Sequence, residues 1–232
     1  MSLHIPVQDQ RLFRPEKKYS EIKWSIFSDV VAEFKGRIHA WYIEPARALC
    51  QVPDAAFAQM ALICLLIDTL SQYRYGAIQS PSETQPKPLK SSRSKFKDFI
   101  GERLPSLGFP LPLPIRIVKE NGNPGELKTY AEVLYVGFRC GILHEAHIPL
   151  YGAISGQTTV TTWHPSGITT YADGTDCPTV VVFPKPLLDL LVGAFVNYVE
   201  ELLNPDPKHV ALRLRFKEKF EDSFGVTISV VV

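Results

Sequence analysis

Apolar residues recur at three- and four-residue steps near the start of the chain: Ile26, Phe27, Val30, Val31, Phe34, Ile38, Trp41 and Tyr42. That spacing lines one face of a helix. It is predicted to run to about residue 50, with Ser20 or Ser28 as cap and Pro45 as a kink or stop. Pro53-Asp54 opens a second helix over 55–75, closed by Gly76. This one is apolar on nearly every face, so it belongs at the centre. Between 77 and 94 the apolar period is lost to Pro, Ser, Gln and Lys, and a loop is expected. A short basic helix follows over 96–104. Four prolines between 104 and 114 argue against regular structure there.

After a strong turn at 121–125, an apolar helix is predicted over 127–147. Then the pattern changes. Thr- and Val-rich stretches at 154–163, 168–172 and 179–183 read as strands, with turns at 164–167 and 173–174. They form a β-meander inserted at about 154–184. Helices at 186–203 and 205–224 follow, then Gly225 and a possible edge strand over 226–232. Residues 1–19 are polar and Pro-interrupted, a loose lead-in. The expected fold is mainly α: one domain over 20–232, a bundle of about five helices with a small antiparallel β insertion.

Composition narrows the class. The 232 residues are 45% hydrophobic and 21% charged, with net charge +1 and pI about 7.7. Such a balance suits an ordinary globular domain and does not announce nucleic-acid binding, so that role would need a local basic patch. Cys50, Cys64, Cys140 and Cys177 lack Cys-x-x-Cys spacing; Cys50, Cys64 and Cys140 lie in apolar helical stretches and read as reduced, buried thiols of a cytoplasmic protein. The first 14 residues lack a signal-peptide pattern, and the apolar run 60–67 is far short of the roughly 20 residues of a membrane helix.

Polar chemistry inside an apolar context concentrates in one place, Tyr135-Val136-Gly137-Phe138-Arg139-Cys140-Gly141-Ile142-Leu143-His144-Glu145-Ala146-His147. On an ideal α-helix Glu132, Tyr135 and Arg139 share a face, and His144 lies about 140° round from Arg139. The two converge if the arginine wraps round, if Gly141 relaxes the turn, or if two copies of the helix face each other across a two-fold axis. An arginine–histidine pair suits attack on a phosphodiester. The guanidinium fork matches two phosphate oxygens, and the imidazole titrates near neutrality and moves protons. With RNA the ribose 2′-hydroxyl is itself the nucleophile, so no metal and no cofactor is called for.

Arg139-Cys140-Gly141-Ile142-Leu143-His144-Glu145 resembles the Arg–four residues–His motif of HEPN domains. The order of an apolar second helix, a linker and a later motif helix is also similar, over roughly residues 20–203. The resemblance implies an all-α bundle that dimerises through the motif helices. It implies metal-independent RNA cleavage at that interface, with Arg139 and His144 in the two catalytic positions. A defence or toxin–antitoxin setting, with an antitoxin or other protein partner, is implied with it. The position after the arginine is commonly asparagine in that family and is Cys140 here. That departure and the neutral charge favour an alternative, a non-catalytic module of the same fold binding a partner protein or a nucleotide.

Four residues are candidates to support the pair: Glu145, His147, Asp68 and Tyr135. Asp68 can orient the histidine or pair with the arginine, although an aspartate ending an apolar run more often marks where a helix meets solvent. His147 lies about 80° from Arg139 on an ideal helix and can assist His144. Lys87, Lys90, Arg93, Lys95 and Lys97, with Arg103, are the candidate RNA-contacting surface. Tyr73, Arg74 and Tyr75 are candidates for stacking on bases. The threonines at 158, 159, 161 and 162 offer a lid or partner surface. Cys140, His144 and His147 form a weak metal set with no fourth ligand in sight.

Overall fold

The computed structural model describes residues 11–76, 91–107, 110–118, 122–157, 163–170, 174 and 176–230. The chain is mainly helical, with three small sheets. A hairpin of β1 (Leu12–Arg14) and β2 (Lys17–Lys18) comes first. It corrects the loose lead-in for its described part. Phe13 is fully buried, with its ring against Tyr19, Trp24, Phe220 and Phe224. The hairpin is thereby bound to the last helix.

The first helical rod is α1 (Phe27–Ile38), a π-helical turn His39–Ile43 and α2 (Glu44–Leu49). Neither Ser20 nor Ser28 caps it, because Ile26 holds the cap position. Pro45 does not end it. Its missing N–H and bulky ring cannot follow a regular α turn, and the wider π turn just before it absorbs the mismatch. The next helix, α3 (Ala56–Tyr75), is the hub: α2, the helices at 92–103, 184–203 and 210–224, and the motif helix all pack on it. It has the length and mean hydropathy, 1.3, of a membrane crossing, and 56% of its most apolar window is buried inside the protein. Its buried side chains include the polar Gln59, Asp68 and Ser71.

The helix expected at 96–104 begins earlier, as α4 (Ser92–Arg103), because Ser91 caps it through its hydroxyl. The proline-rich stretch is a strand, against expectation. β3 (Pro110–Val118) pairs antiparallel with β4 (Pro124–Thr129). Its register breaks between Pro110 and Ile115, the span that holds the other two prolines, so the missing N–H groups fall where the ladder is interrupted.

The motif helix starts at Tyr130, since Leu127 still belongs to β4. The β insertion departs from a meander. β5 (Gly152–Ile154) runs parallel to β7 (Asp176–Val182), and β6 (Trp163–Thr170) lies antiparallel on β7's other side. The turn expected at 164–167 is a register shift inside β6. The four threonines of 158–162 lie outside the described residues.

Finally, α6 (Pro184–Leu203) and α7 (Val210–Phe224) close the bundle. α7 begins later than expected, after a 3-10 turn at Pro207–His209 capped by Asp206. The expected edge strand is absent over 226–230. There Lys217 donates to the Ile228 carbonyl at 2.6 Å and the Ile228 N–H donates to Glu221 at 2.7 Å, with Val226 and Ile228 buried.

Candidate functional site

The motif helix is α5 (Tyr130–Val133) continued by a π-helical run, Leu134–Glu145. Thr129 opens it. Its hydroxyl accepts from the Glu132 N–H at 3.3 Å, and the Glu132 carboxylate accepts from the Lys128 N–H at 2.8 Å. Thr129-Tyr130-Ala131-Glu132 has the capping-box spacing, the sequence signal that marks this helix start. Glu132 also takes the Lys97 ammonium at 2.7 Å, which ties α4 to this helix. Burial pushes its carboxyl up, but the hydrogen bonds from Lys97 and Lys128 outweigh that and hold it below the usual carboxylate value. The helix ends at Ala146, a left-handed residue with φ 53°, and the His147 N–H closes back on the Gly141 carbonyl at 3.1 Å.

Two glycines let the exit chain fold onto the helix. A Cβ on Gly141 would stand 2.6 Å from the His147 carbonyl oxygen. One on Gly137 would stand 2.9 Å from the Tyr151 ring. The face carrying both glycines is therefore covered by the chain's own segment 147–151.

The π winding decides where the polar side chains meet. Hydrogen bonds from i to i+5 bring residues five apart to about the same face, one turn along. Arg139 and His144 are five apart, and Arg139 Nη1 lies 2.6 Å from His144 Nε2. The 140° separation of an ideal α-helix is thus removed within a single chain, without a second copy. A guanidinium has donors only, so in this contact His144 Nε2 is the acceptor, the role it has in the tautomer that carries its proton on Nδ1.

Asp68, on α3, completes the group. Its Oδ2 accepts from Arg139 Nη2 at 2.9 Å, with the two side chains 12% and 17% exposed. Asp68 therefore does not mark where α3 emerges to solvent. Burial disfavours the arginine's charge, but the hydrogen bond and charge of Asp68 prevail, and the guanidinium is held more firmly protonated than a free one. The pair is incomplete: Asp68 Oδ1 and Arg139 Nε are buried and take no hydrogen bond among the described residues. Each such atom costs about 1–3 kcal/mol. The Tyr135 ring lies under the guanidinium, 5.7 Å away, and is fixed edge-on by Phe96. Cys64 lies buried close by, its thiol pushed up by burial and so protonated. His144 is exposed. The group is closed at Asp68 and open at the imidazole.

Other expected members lie elsewhere. Glu145 and His147 pair with each other at 3.1 Å, both exposed. His147 sits past the left-handed Ala146, so the 80° helical relation to Arg139 does not exist. Glu132 faces Lys97 rather than Arg139. No three His, Cys, Asp or Glu among the described residues are placed to hold a metal, so Cys140, His144 and His147 do not make one site.

The basic surface is mostly dispersed. Lys95 is buried, donating to the Gly76 carbonyl at 2.6 Å, and burial lowers its pKa. Lys97 is paired with Glu132, and Arg103 with Glu201 at 2.9 Å. Arg93 remains exposed. Lys87 and Lys90 lie outside the described residues. Tyr73 is buried, its ring 4.5 Å from that of Phe34, and Arg74 pairs with Glu201 at 2.8 Å; neither is free to stack on a base.

No family model, curated protein or solved structure matches the chain. The site must be read from its own geometry.

A separate cleft of about 580 Å³ lies where the α2–α3 turn meets β5 and the start of α6. Leu49, Val52, Phe57 and Ile154 line it, with Cys50 and Gln59 hydrogen-bonded to each other at 2.7 Å. None of the expected site residues belongs to it.

Proposed function

We propose that the chain is a metal-independent endoribonuclease of HEPN type, working in the cytoplasm in a defence or toxin–antitoxin setting. The observation that carries this is the 2.6 Å meeting of Arg139 and His144, open to solvent at the histidine and anchored from behind by Asp68. Arg139 would hold a non-bridging phosphate oxygen and neutralise the charge that builds as the phosphorus gains a fifth bond. His144 Nε2 would take the proton of the 2′-hydroxyl. The 2′-oxygen would attack, the 5′-oxygen would leave with the proton that the imidazole had gained, and a 2′,3′-cyclic phosphate would remain. Asp68 would position the arginine and Tyr135 support its face. A homodimer belongs to this reading. It would set two such groups side by side through the exposed side of the motif helix, since the glycine side is already covered.

The test is cleavage of total RNA by wild type, Arg139→Ala and His144→Ala. Each variant is expected to lose about a hundredfold or more in rate. Equal activity in all three, or none in wild type, would remove the catalytic reading.

A second reading has its own support. Among the described basic side chains expected around the site, Lys95 is buried and Lys97 and Arg103 are ion-paired. A non-catalytic module that binds a partner protein or a nucleotide through the same group needs no long phosphate-contacting surface. Retained partner binding without cleavage would select it.

A further inference from the structure

Arg139 and His144 face each other in a way that leaves neither ready to act. Nη1 can only donate, so it occupies the one lone pair of His144, on Nε2. That is the lone pair a general base needs. The arginine is also only half engaged with Asp68. Nη2 and Oδ2 form one limb of a side-on fork. The other limb would join Nε to Oδ1, and both of those atoms are buried and unpartnered among the described residues. Closing that limb turns the guanidinium about Nη2 and carries Nη1, on its far side, off the imidazole.

We propose that Arg139 caps His144 in the resting protein and that an arriving phosphate oxyanion removes the cap. The anion takes Nη1, Asp68 Oδ1 takes Nε, and His144 Nε2 is released. No covalent bond changes in this step; one hydrogen bond breaks and two form. The identity of the anion rests on the phosphodiester reading above, whereas the resting contact does not. The other ionisable groups of this cluster are Cys64 and Asp68, on α3, and Tyr135 and Cys140, on the motif helix, with Arg93 of α4 acting on Tyr135. Glu145 is held by His147, so Arg139 is the partner placed to cap the ring.

The experiment is nuclear magnetic resonance of the full chain with ¹⁵N-labelled histidine and arginine, above neutral pH. Two-bond couplings show which ring nitrogen carries the proton. The resting wild type is expected to hold His144 in the Nδ1–H form alone. Titration with inorganic phosphate is expected to shift the His144 Nε2 signal and the Arg139 Nε signal together, as one contact opens and the other closes. In Arg139→Gln the ring is expected to show the tautomer mixture of free imidazole, with no response to phosphate. A resting ring protonated on Nε2, or a wild type whose two signals ignore phosphate, overturns the proposal. RNA cleavage by the same samples separates the two claims. An anion-released His144 in a protein that cuts no RNA keeps the cap and removes the ribonuclease. Cleavage by a protein whose resting His144 is protonated on Nε2 does the reverse.

Discussion

Arg139 has five N–H donors and no acceptor, so each hydrogen-bond partner it takes must supply a lone pair. Asp68 supplies charge and burial, and His144 supplies an exposed ring nitrogen. The two partners should therefore differ in what they do for stability. Asp68→Ala leaves a mostly buried cation unpaired and is expected to cost about 2–3 kcal/mol. His144→Ala removes an exposed contact and is expected to stay within about 0.5 kcal/mol. Urea melts of the two variants check this, and equal losses would contradict the roles assigned here. The arginine–histidine pair was legible as residue types in an apolar stretch. The role of Asp68 was not, because its partner lies 71 positions away and no local pattern records that. Lys95 misled for the same reason. A lysine in a basic run looks solvated, and its carbonyl partner, Gly76, is supplied by the end of another helix.

At the scale of the element, the motif helix carries the site because of its winding. A period of 3.6 assumes α geometry, and the sequence offers no simple sign that i to i+5 bonding will replace it. Gly137 and Gly141 hint at a close approach, and the structure shows what approaches: the exit chain. Gly141→Ala would press a Cβ on a backbone carbonyl and is expected to cost about 1–3 kcal/mol. Ala146→Gly relieves a left-handed alanine and is expected to stabilise by about 0.5–1 kcal/mol. Thermal melts of both variants should move in opposite directions. The start of the helix gives a pH test. Glu132 is held below its usual value, so its contribution is present above about pH 4.3 and lost as pH falls through the lowered folded value. Glu132→Gln should be less stable at neutral pH by about 1 kcal/mol and should flatten the acid side of the stability curve. A curve parallel to wild type below pH 4.3 would show that Glu132 does not contribute there.

For the whole molecule, the helices were legible because their apolar stripes are long and periodic, from Val30 to Ile38 and from Leu187 to Val199. The sheets were less so. β3 is proline-rich, and β5 finds its parallel partner in β7 across an intervening strand, which local alternation cannot reveal. The first hairpin was missed because its attachment rests on isolated residues with distant partners: the buried Phe13, and Arg14, which pairs with Glu33 of α1 at 2.7 Å. The Phe13 ring joins Trp24, Phe220 and Phe224, so the two ends of the chain share one aromatic cluster. Phe13→Ala is expected to cost about 3–5 kcal/mol, read as a lower denaturant midpoint with the slope unchanged. A change below about 1 kcal/mol would mean the hairpin is not bound to the bundle.

Asp68 rides on α3, the rod against which α4, α6, α7 and the motif helix lie. Any warming that loosens that rod slackens the carboxylate's grip on the guanidinium in the same event. Loss of the Arg139–His144 arrangement and loss of structure should then superimpose on one temperature axis, with no warm, intact form in which the pair has come apart.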